Sequence, residues 1–525
     1  MQSLFTNASL SMHNTPMKRT KIYDVAIIGG GINGCGIARD AAGRGLSVYL
    51  CEQHDLSAAT SSASSKLIHG GLRYLEHFAF GLVRKALKER SVLLKNAPHI
   101  IKPIRFVLPY MPHLRPKILI RMGLFLYDSL AFHKGIPNSN GIKLRQHEAG
   151  KPLIPTLTDA FMYSDCTVDD SRLVILNAFD ARHKGAVIET HTKCEKITYA
   201  KGVWHIETIS ATDSKTIKAK ALVNATGPWA SNFLKEYSHV GTPYDLQLIK
   251  GSHIVVNKLF EHNHAYTFQH HDGRVIFTIP YQRDFTLIGT TDVNFHKNPD
   301  SAAISPEETN YLCDAVNQYF EKQTLAKDVI WSYSGVRALI KGGEENISKI
   351  SRDYKLELID KKPPPLLNVW SGKITTYRTL AEESLHALKK HFPELGEDWT
   401  ANAPLPGAHI KNGCSTQYAA DLQTVHPWLP TAVAERYASS YGSLSKIILA
   451  HKNDLKDMGQ HFGHGLYAAE VDYLCQYEWA KTIDDILWRR SKLGLLFGKG
   501  EELPLEKYID TLKVEPVPDL EGHQL

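Results

Sequence analysis

The sequence is poor in cysteine and has none in a paired motif. Its seven cysteines are odd in number, widely spread and free of any C-x-x-C, so neither a disulfide framework nor a zinc ribbon is predicted. This usage is typical of a reducing, cytoplasmic compartment. No metal site is expected, because histidine pairs such as His461 and His464 lack an H-E-x-x-H context.

A long apolar run and a tract of like charge are also absent. The best apolar stretch, Ile118 to Phe132, is interrupted by Arg121 and Asp128, so no membrane span is predicted. The formal net charge of +6 at pH 7 comes from scattered lysines and arginines. This favours anionic small molecules or an anionic membrane surface over nucleic acid as partners. Residues 1–20 are predicted to form a flexible extension, in which Met17 can serve as an alternative start.

A dinucleotide-binding pattern begins at residue 22. An apolar, β-branched strand pattern over residues 22–28 is followed by Gly-Gly-Gly-Ile-Asn-Gly, a helix to about Gly45 and a second strand that ends at Glu52. This is G-x-G-x-x-G in the strand–helix–strand context that a dinucleotide site requires. These residues by themselves leave open whether the dinucleotide is NAD or FAD.

The glycines and the acid of this pattern have separate physical tasks. Gly29 permits the tight turn, Gly31 lets the backbone approach a pyrophosphate, and Gly34 lets the helix pack close to the strand. Glu52 lies eighteen residues after Gly34, near the spacing at which a carboxylate meets the ribose hydroxyls of an adenosine. A carboxylate at that place disfavours a 2′-phosphate.

A second signature follows directly, from Ser61 to Tyr74. Small hydroxylated residues and paired glycines in this stretch allow a flat ring to approach the backbone closely. Lys66, His69 and Arg73 add positive charge to it. The alternative interpretation is a serine linker followed by a turn.

The rest of the chain predicts one long helix, further strands and then a helical region. The helix is expected soon after Tyr74. The apolar run Ala221–Asn224 should return the chain to the nucleotide sheet, and strand-like runs at 253–256, 274–279 and 285–290 predict an antiparallel sheet. From about Ala408 the pattern is predominantly helical.

Longer motifs point to a family. The segments GGGINGCGIARDAAGRG, SSASSKLIHGGLRYLEH, VNATGPW, IKGSHIVV, GTTD, YSGVRAL, SRDY and GKITTYRTLAE occur in this order. With them the chain resembles the FAD-dependent glycerol-3-phosphate dehydrogenases of the bacterial aerobic type, from about Tyr23 to the C-terminal region. The resemblance implies an α/β fold, α+β overall. Its parts are a glutathione-reductase-like FAD-binding Rossmann domain, an antiparallel-sheet substrate-binding cap and a helical C-terminal domain.

The expected domains are discontinuous in sequence. The FAD-binding domain is predicted to comprise residues 21–100, 165–240 and 350–400. The substrate-binding cap is predicted to comprise residues 101–164 and 241–349, and the helical C-terminal domain residues 401–525.

The resemblance implies noncovalent FAD and a set of residues around it. These are Gly29, Gly31, Asn33 and Gly34 at the pyrophosphate, Glu52 at the adenosine ribose, Thr60, Ser61, Ser62, Ser65, Lys66, Leu67 and His69 along the flavin, Ala225, Thr226 and Gly227 at a second strand end, and Gly372, Lys373, Ile374 and Thr375 near the flavin N1 edge. A helix N-terminus at this last place would stabilise the negative charge of the reduced flavin.

The resemblance also implies the reaction. It is the oxidation of sn-glycerol 3-phosphate to dihydroxyacetone phosphate by hydride transfer from C2 to flavin N5, with electrons passed to ubiquinone in the membrane. The implied phosphate and glycerol clamp consists of Arg73, Tyr74, Arg352, Lys373 and Thr376, and the arginine fork suits phosphate oxygens. His253 is the candidate base and Arg337 the candidate stabiliser of the developing alkoxide, although these two roles can be exchanged in part.

One basic and apolar stretch of the sequence bears on the location of the protein. Arg115, Lys117 and Arg121, with Arg105 directly before the stretch, alternate with large apolar residues between positions 106 and 132, a composition typical of a helix on an anionic membrane surface. A core helix with snorkelling arginines is the alternative. We expect a cytoplasmic protein held peripherally on the inner membrane.

Two alternative functions remain open. One is a flavin amine or amino-acid oxidase of the same fold, and the other is a non-catalytic, flavin-containing RNA-binding or sensor protein. The oligomeric state is open, a homodimer included.

Overall fold

A computed structural model describes residues 21–111, 116–130, 135–238, 244–341, 353–361 and 364–512. The strands in these ranges are β1 (Ile22–Ile28), β2 (Val48–Cys51), β3 (Leu67–Ile68), β4 (Ile101–Pro109), β5 (Asn140–Lys143), β6 (Asp159–Val168), β7 (Val187–Glu189), β8 (Lys193–Ala200), β9 (Val203–Ile209), β10 (Ser214–Asn224), β11 (Leu246–Asn257), β12 (Ala265–Gln269), β13 (Val275–Tyr281), β14 (Phe285–Gly289), β15 (Val293–Asn294), β16 (Val329–Ile340), β17 (Lys355–Ile359), β18 (Leu366–Trp370), β19 (His461–Gly463) and β20 (Leu466–Tyr467).

The α-helices in the same ranges are α1 (Ile32–Gly43), α2 (Phe80–Asn96), α3 (Lys117–Leu130), α4 (Asp170–His183), α5 (Ala230–Phe233), α6 (Pro306–Asn317), α7 (Tyr377–Leu388), α8 (Ser415–Val425), α9 (Thr431–Ser440), α10 (Ser445–Ile448), α11 (Ala468–Tyr477) and α12 (Leu503–Thr511). Among the residues described, no helix combines the length and the apolar composition that crossing a membrane requires.

The first sheet is the predicted nucleotide-binding sheet. Its strand order is β17-β18-β10-β1-β2-β7, with the β8–β9 hairpin attached to β10. The register confirms that the run before Asn224 returns to this sheet, because Val25 of β1 lies between Ala221 of β10 and Val48 of β2, all three strands being parallel. The strand–turn–helix pattern therefore places the glycine turn at the carboxyl end of a central strand, where open α/β sheets bind ligands.

The second sheet has the order β15-β11-β14-β13-β12-β4-β6-β3, with β16 on β11 and β5 on β6. The three predicted runs form β11, β13 and β14 and pair antiparallel as expected. The β12–β4 pair is parallel, so the sheet is mixed. In the antiparallel β11–β16 pair His253 lies opposite Tyr333, and Ile249 lies opposite Arg337. The two candidate catalytic residues thus stand on neighbouring strands.

The serine-rich signature connects the two sheets. β2 ends at Cys51 in the first sheet, and β3 begins at Leu67 in the second, where it pairs with β6. Residues 52–66, which we call the cofactor loop, therefore pass from one sheet to the other. This path brings the serines to the junction between the sheets.

The C-terminal region is helical, as predicted, apart from the short β19–β20 hairpin. Its buried residues do not form a separate core. Tyr437 of α9 and Val471 of α11 belong to the same apolar cluster as Ile37 of α1, Leu173 of α4 and Leu380 of α7. The C-terminal helices consequently share one apolar core with α1, α4 and α7 and with Val25 of β1.

We predict that Gly36→Ala destabilises the protein, whereas Gly123→Ala does not. A Cβ on Gly36, inside α1, would lie 2.7 Å from Cδ2 of the buried Tyr377 ring, and such overpacking costs about 1–3 kcal/mol. A Cβ on Gly123, inside α3, meets nothing within 4 Å, and replacing a mid-helix glycine by alanine contributes about 0.5–1 kcal/mol. Thermal unfolding of both variants should show a lowered midpoint for the first only. Equal midpoints would contradict the packing argument.

Candidate active site

A cavity of about 1400 Å³ lies at the junction of the two sheets. Its lining includes residues from every motif that the sequence singled out except SRDY, of whose residues only Asp353 and Tyr354 are described. The predicted site residues on its wall are Gly29, Gly31, Asn33, Glu52, Thr60, Ser61, Ser65, Leu67, His69, Tyr74, Ala225, Thr226, Gly227, Arg337, Gly372, Lys373, Ile374 and Thr375.

Other predicted residues lie behind this wall. Of the described residues, Gly34, Ser62, Lys66, Arg73, His253 and Thr376 do not line the cavity. The Lys66 ammonium is buried and donates to Asp170 Oδ1 at 2.9 Å and to the Ser62 carbonyl at 2.8 Å. Thr376 is buried where α7 begins, and Arg73 is half-buried beside Tyr74 on the 3₁₀ helix Leu72–His77. Arg352 and Arg115 lie outside the described residues.

The glycine turn forms a cradle that side chains could not occupy. Gly29 has φ +112°, and a Cβ there would lie 2.6 Å from the Ala225 carbonyl oxygen. A Cβ on Gly34 would lie 2.0 Å from the Gly29 carbonyl oxygen, so this glycine allows α1 to approach the strand. The start of α1 lines the cavity, and helix N-termini are places where proteins bind anions.

Glu52 is held in place by backbone N–H groups at the end of β2. Its Oε2 accepts from Gly30 N at 2.7 Å, and its Oε1 accepts from His54 N at 2.9 Å. Burial raises the pKa of the Glu52 carboxyl, while these two hydrogen bonds oppose the rise. The carboxylate lines the cavity at the position that the spacing predicted for an adenosine ribose.

Hydroxyl groups of the cofactor loop bond to both halves of the protein. Thr60 Oγ1 donates to the Val336 carbonyl of β16 at 2.7 Å. Ser61 Oγ accepts from Ile32 N, at the start of α1, at 3.0 Å. These bonds fix the loop against the cradle on one side and the second sheet on the other.

The start of α7 closes the cavity. Gly372 has φ +118° and lies in the turn between β18 and the 3₁₀ turn Ile374–Thr376, which leads into α7. The Asn33 Nδ2 donates to the Ser371 carbonyl at 3.3 Å, whereas Asn33 Oδ1 is buried without a hydrogen-bond partner among the described residues. A buried acceptor of this kind is expected to bond to a missing group.

The residues present therefore fit a bound dinucleotide such as FAD. The side-chain-free glycine cradle suits a pyrophosphate, Glu52 suits a ribose, and Asn33 Oδ1 has an unused acceptor site. The cofactor loop and the start of α7 provide hydroxyl and N–H groups farther along the same cavity.

Two of the cations that line this cavity belong to the predicted site. Arg337 Nη1 donates to Asp292 Oδ1 at 2.5 Å, and Arg337 Nη2 lies 3.5 Å from Thr290 Oγ1. The Lys373 ammonium lies 3.8 Å from the centroid of the Tyr74 ring, a cation–π geometry that holds it in position. Lys373, Tyr74 and Arg337 together offer positive charge and a phenol to a small anionic ligand.

His253 does not line the cavity but contacts its wall through Ser65. Its ring is buried, stacks on Tyr333 with centroids 4.8 Å apart, and hydrogen-bonds through Nε2 to Ser65 Oγ at 2.9 Å. Burial lowers the pKa of His253 well below its usual value, and the nearby Arg337 and Lys66 lower it further. The imidazole is therefore neutral near pH 7.

Sequence reasoning assigned no role to two carboxylates that hold this arrangement. Asp292 belongs to the GTTD motif, but only the fold brings it to Arg337. Glu308 accepts from Ser252 Oγ at 2.9 Å, from Thr291 Oγ1 at 2.8 Å and from Lys250 Nζ at 2.7 Å. The sequence could have predicted the capping box that Glu308 forms with Ser305 at the start of α6. It could not have predicted the contact of Glu308 with β11, the strand that carries His253, because that contact forms only in the tertiary structure.

Comparison with known families agrees with this site. Residues 24–364 match the family model described as FAD dependent oxidoreductase. Residues 399–515 match the C-terminal domain of alpha-glycerophosphate oxidase. The fold and the cradle thus define an FAD-dependent oxidoreductase.

Individual relatives are more specific. The chain is 50% identical over 501 residues to the glycerol-3-phosphate dehydrogenase of Pseudomonas aeruginosa, which covers 95% of this chain and 97% of the relative. It is 45% identical over 497 residues to the D-erythritol 1-phosphate dehydrogenase of Brucella abortus, covering 94% of this chain and 99% of the relative. The solved Bacillus halodurans glycerol-3-phosphate dehydrogenase complexed with FAD superposes with a TM-score of 0.72 at 25% identity, covering 96% of this chain and 97% of that one. The chain belongs to the FAD-dependent glycerol-3-phosphate dehydrogenase family.

We predict that His253 makes the stability of the protein fall at acid pH. The folded state keeps this imidazole neutral, whereas the unfolded chain protonates it below its usual pKa of 6.5. The unfolded state then binds more protons, so the free energy of unfolding falls below about pH 6.5, by at most roughly 1.4 kcal/mol per pH unit for one group. Chemical denaturation at pH 7.5, 6.0 and 5.0 should show a shallower loss for His253→Asn. Parallel losses would contradict the assignment.

Proposed function

We propose that the protein oxidises the C2 hydroxyl of sn-glycerol 3-phosphate to dihydroxyacetone phosphate and passes the electrons to a membrane quinone. The observation that carries this proposal is that Arg337 and Lys373 line the cavity that also contains the dinucleotide cradle. The names of the relatives support the choice of substrate. When bound, FAD supplies the acceptor for the C2 hydride.

The substrate is a dianion with two free hydroxyls, and its recognition needs fixed positive charge. We assign the phosphate to Lys373, with Tyr74 beneath it, because the aromatic face holds the ammonium at the cavity wall and a charged donor binds phosphate strongly. Arg73 and Arg352 remain candidates for the same clamp. Arg337 is assigned to the C2 oxygen, where negative charge develops as the hydroxyl proton leaves.

We assign the proton to His253 through Ser65. Ser65 lines the cavity and hydrogen-bonds to Nε2, so its hydroxyl can accept a proton from the substrate while it donates its own to the imidazole. A lowered pKa keeps His253 neutral and able to accept, but it also makes the imidazole a weak base. Stabilisation of the alkoxide by Arg337 compensates for that weakness, so that His253 accepts the proton while Arg337 stabilises the charge that the proton leaves behind.

D-Erythritol 1-phosphate is a second candidate substrate. The Brucella abortus relative named for it is nearly as similar to this chain as the Pseudomonas aeruginosa one. Both polyol phosphates are dianions that carry secondary alcohols, so the same cations would serve either. The length of the polyol is the property that separates them.

We predict that glycerol 3-phosphate reduces the flavin rapidly in stopped-flow experiments, whereas glycine and sarcosine do not. Arg337→Ala should slow reduction about 10²–10³-fold, the usual effect of removing a group that stabilises an oxyanion. His253→Ala and Ser65→Ala should each slow it about 10²-fold or more. Their double variant should be little worse than either, because both interrupt one proton path.

The matched control is Arg283→Ala, which removes an exposed arginine paired with Glu435 on the surface and should leave the rate unchanged. Parent rates in both Arg337→Ala and His253→Ala would refute the catalytic assignment. Faster reduction by D-erythritol 1-phosphate would replace the substrate, and reduction by the amino acids would favour the oxidase alternative.

The membrane location rests on one face of α3. Ile118, Met122 and Phe125 follow helical spacing and are 72%, 62% and 67% exposed, while Leu124 and Tyr127 on the opposite face are buried. An exposed apolar stripe of this size marks an interaction surface. The cations beside it are engaged by protein groups, since Lys117 pairs with Asp159 and Arg121 donates to Ser139. We infer that apolar insertion, rather than charge, dominates attachment to the lipid.

The same helix supports the choice of a membrane quinone as electron acceptor. α3 contacts the 3₁₀ helix Leu72–His77, whose Tyr74 lines the cavity. Tyr127 of α3 accepts the Gly70 N–H at 2.9 Å, one residue after His69 on the cavity wall. A face seated in the bilayer would therefore bring a lipid-soluble acceptor close to the cofactor site.

We predict that replacing Ile118, Met122 and Phe125 together by serine lowers binding to anionic phospholipid vesicles at least about tenfold. Burying one large apolar side chain contributes roughly 1.5–3 kcal/mol, and 1.4 kcal/mol corresponds to tenfold. Reduction of a soluble dye should not change. Serine at Leu325, Val425 and Leu503, which are exposed but scattered, is the control. Vesicle binding that survives the α3 changes would refute this surface.

A further inference from the structure

The C-terminal region touches the cofactor loop, and the touching segment is Glu478–Lys492. It follows α11 and includes a π-helical turn from Asp485 to Arg490. Arg489 and Arg490 of the segment pair with Asp55, near the start of the loop. Lys492 pairs with Asp169, whose neighbour Asp170 binds the last residue of the loop. None of these contacts belongs to the cradle or to the substrate end of the cavity.

The first contact holds the start of the loop. The Arg490 guanidinium grips both oxygens of Asp55, with Nη2 2.8 Å from Oδ1, and Arg489 Nε donates to Asp55 Oδ2 at 2.6 Å. Asp55 and Arg490 are fully buried. His54 and Ser57, on either side of Asp55 in the sequence, line the cavity. A shift of the Asp55 carboxylate would therefore move this part of the wall.

The second contact holds the end of the loop through α4. Lys492 Nζ lies 3.2 Å from Asp169 Oδ1. The next residue, Asp170, accepts from Lys66 Nζ at 2.9 Å and from Ser64 Oγ at 2.7 Å. Lys492 thus supports the acid that fixes the last residues of the loop.

Glu478 joins the two contacts. Its carbonyl accepts from Arg490 Nη2, and its carboxylate pairs with both terminal nitrogens of Arg172 on α4. Glu478, Arg172 and Arg490 are buried, and a buried charge is tolerated only when it is paired. Buried charged pairs therefore hold the segment against α4 and against the cofactor loop.

We propose that segment 478–492 is a clamp on the cofactor loop, that the Arg490–Asp55 pair is its main contact, and that its role is to retain FAD. A loop that is already ordered loses less conformational entropy when the cofactor binds, and opening it for release requires breaking the buried pair. Asp55 and Arg490 are thus positioning residues, which act on FAD through Glu52, Ser57 and Ser61. This assigns a task to the C-terminal region that its helices alone do not suggest.

The test measures FAD binding without substrate, so its failure is distinct from failure of the proposed oxidation. Arg490→Gln and Asp55→Asn remove one charge each and keep the shape. Titration of the apoprotein with FAD, followed by flavin fluorescence, should give a dissociation constant about tenfold above the parent value, within the 5- to 150-fold range of typical couplings between sites. The release rate of FAD from the holoprotein should rise in step. The double variant should be no worse than the single ones, because it leaves no unpaired charge.

Arg436→Gln is the matched control. It breaks the buried Arg436–Glu470 pair, which lies within the C-terminal helices and does not touch the loop. We expect it to lower the thermal midpoint and leave the FAD dissociation constant unchanged. Weaker FAD binding in Arg436→Gln, at an equal loss of midpoint, would show that only general stability matters and would overturn the clamp.

A further variant covers the case in which Arg490→Gln does not fold. Arg489 is partly exposed and donates to the same carboxylate, so Arg489→Gln should fold and show a smaller increase in FAD release. Parent-like release from folded Arg489→Gln and Asp55→Asn would overturn the proposal.

Discussion

The cofactor loop, residues 52–66, connects the first sheet to the second. Three of its hydroxyl groups form hydrogen bonds that fix the two sheets relative to each other. Thr60 bonds to β16, Ser61 bonds to the first turn of α1, and Ser65 bonds to His253 on β11. Because each bond reaches a different element, a shift of one sheet against the other would disturb all three. The cradle that receives the cofactor and the strands that carry His253 and Arg337 therefore share one frame.

The cations around this loop form two groups, one that faces the cavity and one that is buried behind the loop. Arg337 and Lys373 face the cavity, where a ligand can meet them, and each is held by a protein group, Asp292 or the Tyr74 ring. Two cations behind the loop are buried and pair with carboxylates, Lys66 with Asp170 and Arg490 with Asp55. Such pairs add little net stability but select one arrangement, because any other would leave a charge unpaired in the interior. The apolar core shared between the C-terminal helices and α1 keeps those partners in place.

Local patterns were sufficient for most elements, and most of the cofactor residues that they predicted line one cavity. Gly29 and Glu52 could be assigned because the strand, the turn with positive φ and the helix form one continuous piece of chain. Motif order and family resemblance added His253 and Arg337 as candidates. Neither source indicated Asp292 or Glu308, because spacing along the chain does not say which strands become neighbours. The parallel β12–β4 pair was missed for the same reason.

By itself, the sequence determined the nucleotide-binding unit, the antiparallel runs of the second sheet, the helical C-terminal region and the family. These follow from periodicity, glycine conformation and the order of motifs. Only the tertiary structure decided that His253 reaches the cavity through Ser65, 188 positions away, and that Arg490 grips Asp55 across 435 positions. Contacts of this kind depend on how two sheets and a helical region pack together, and no local pattern encodes that packing.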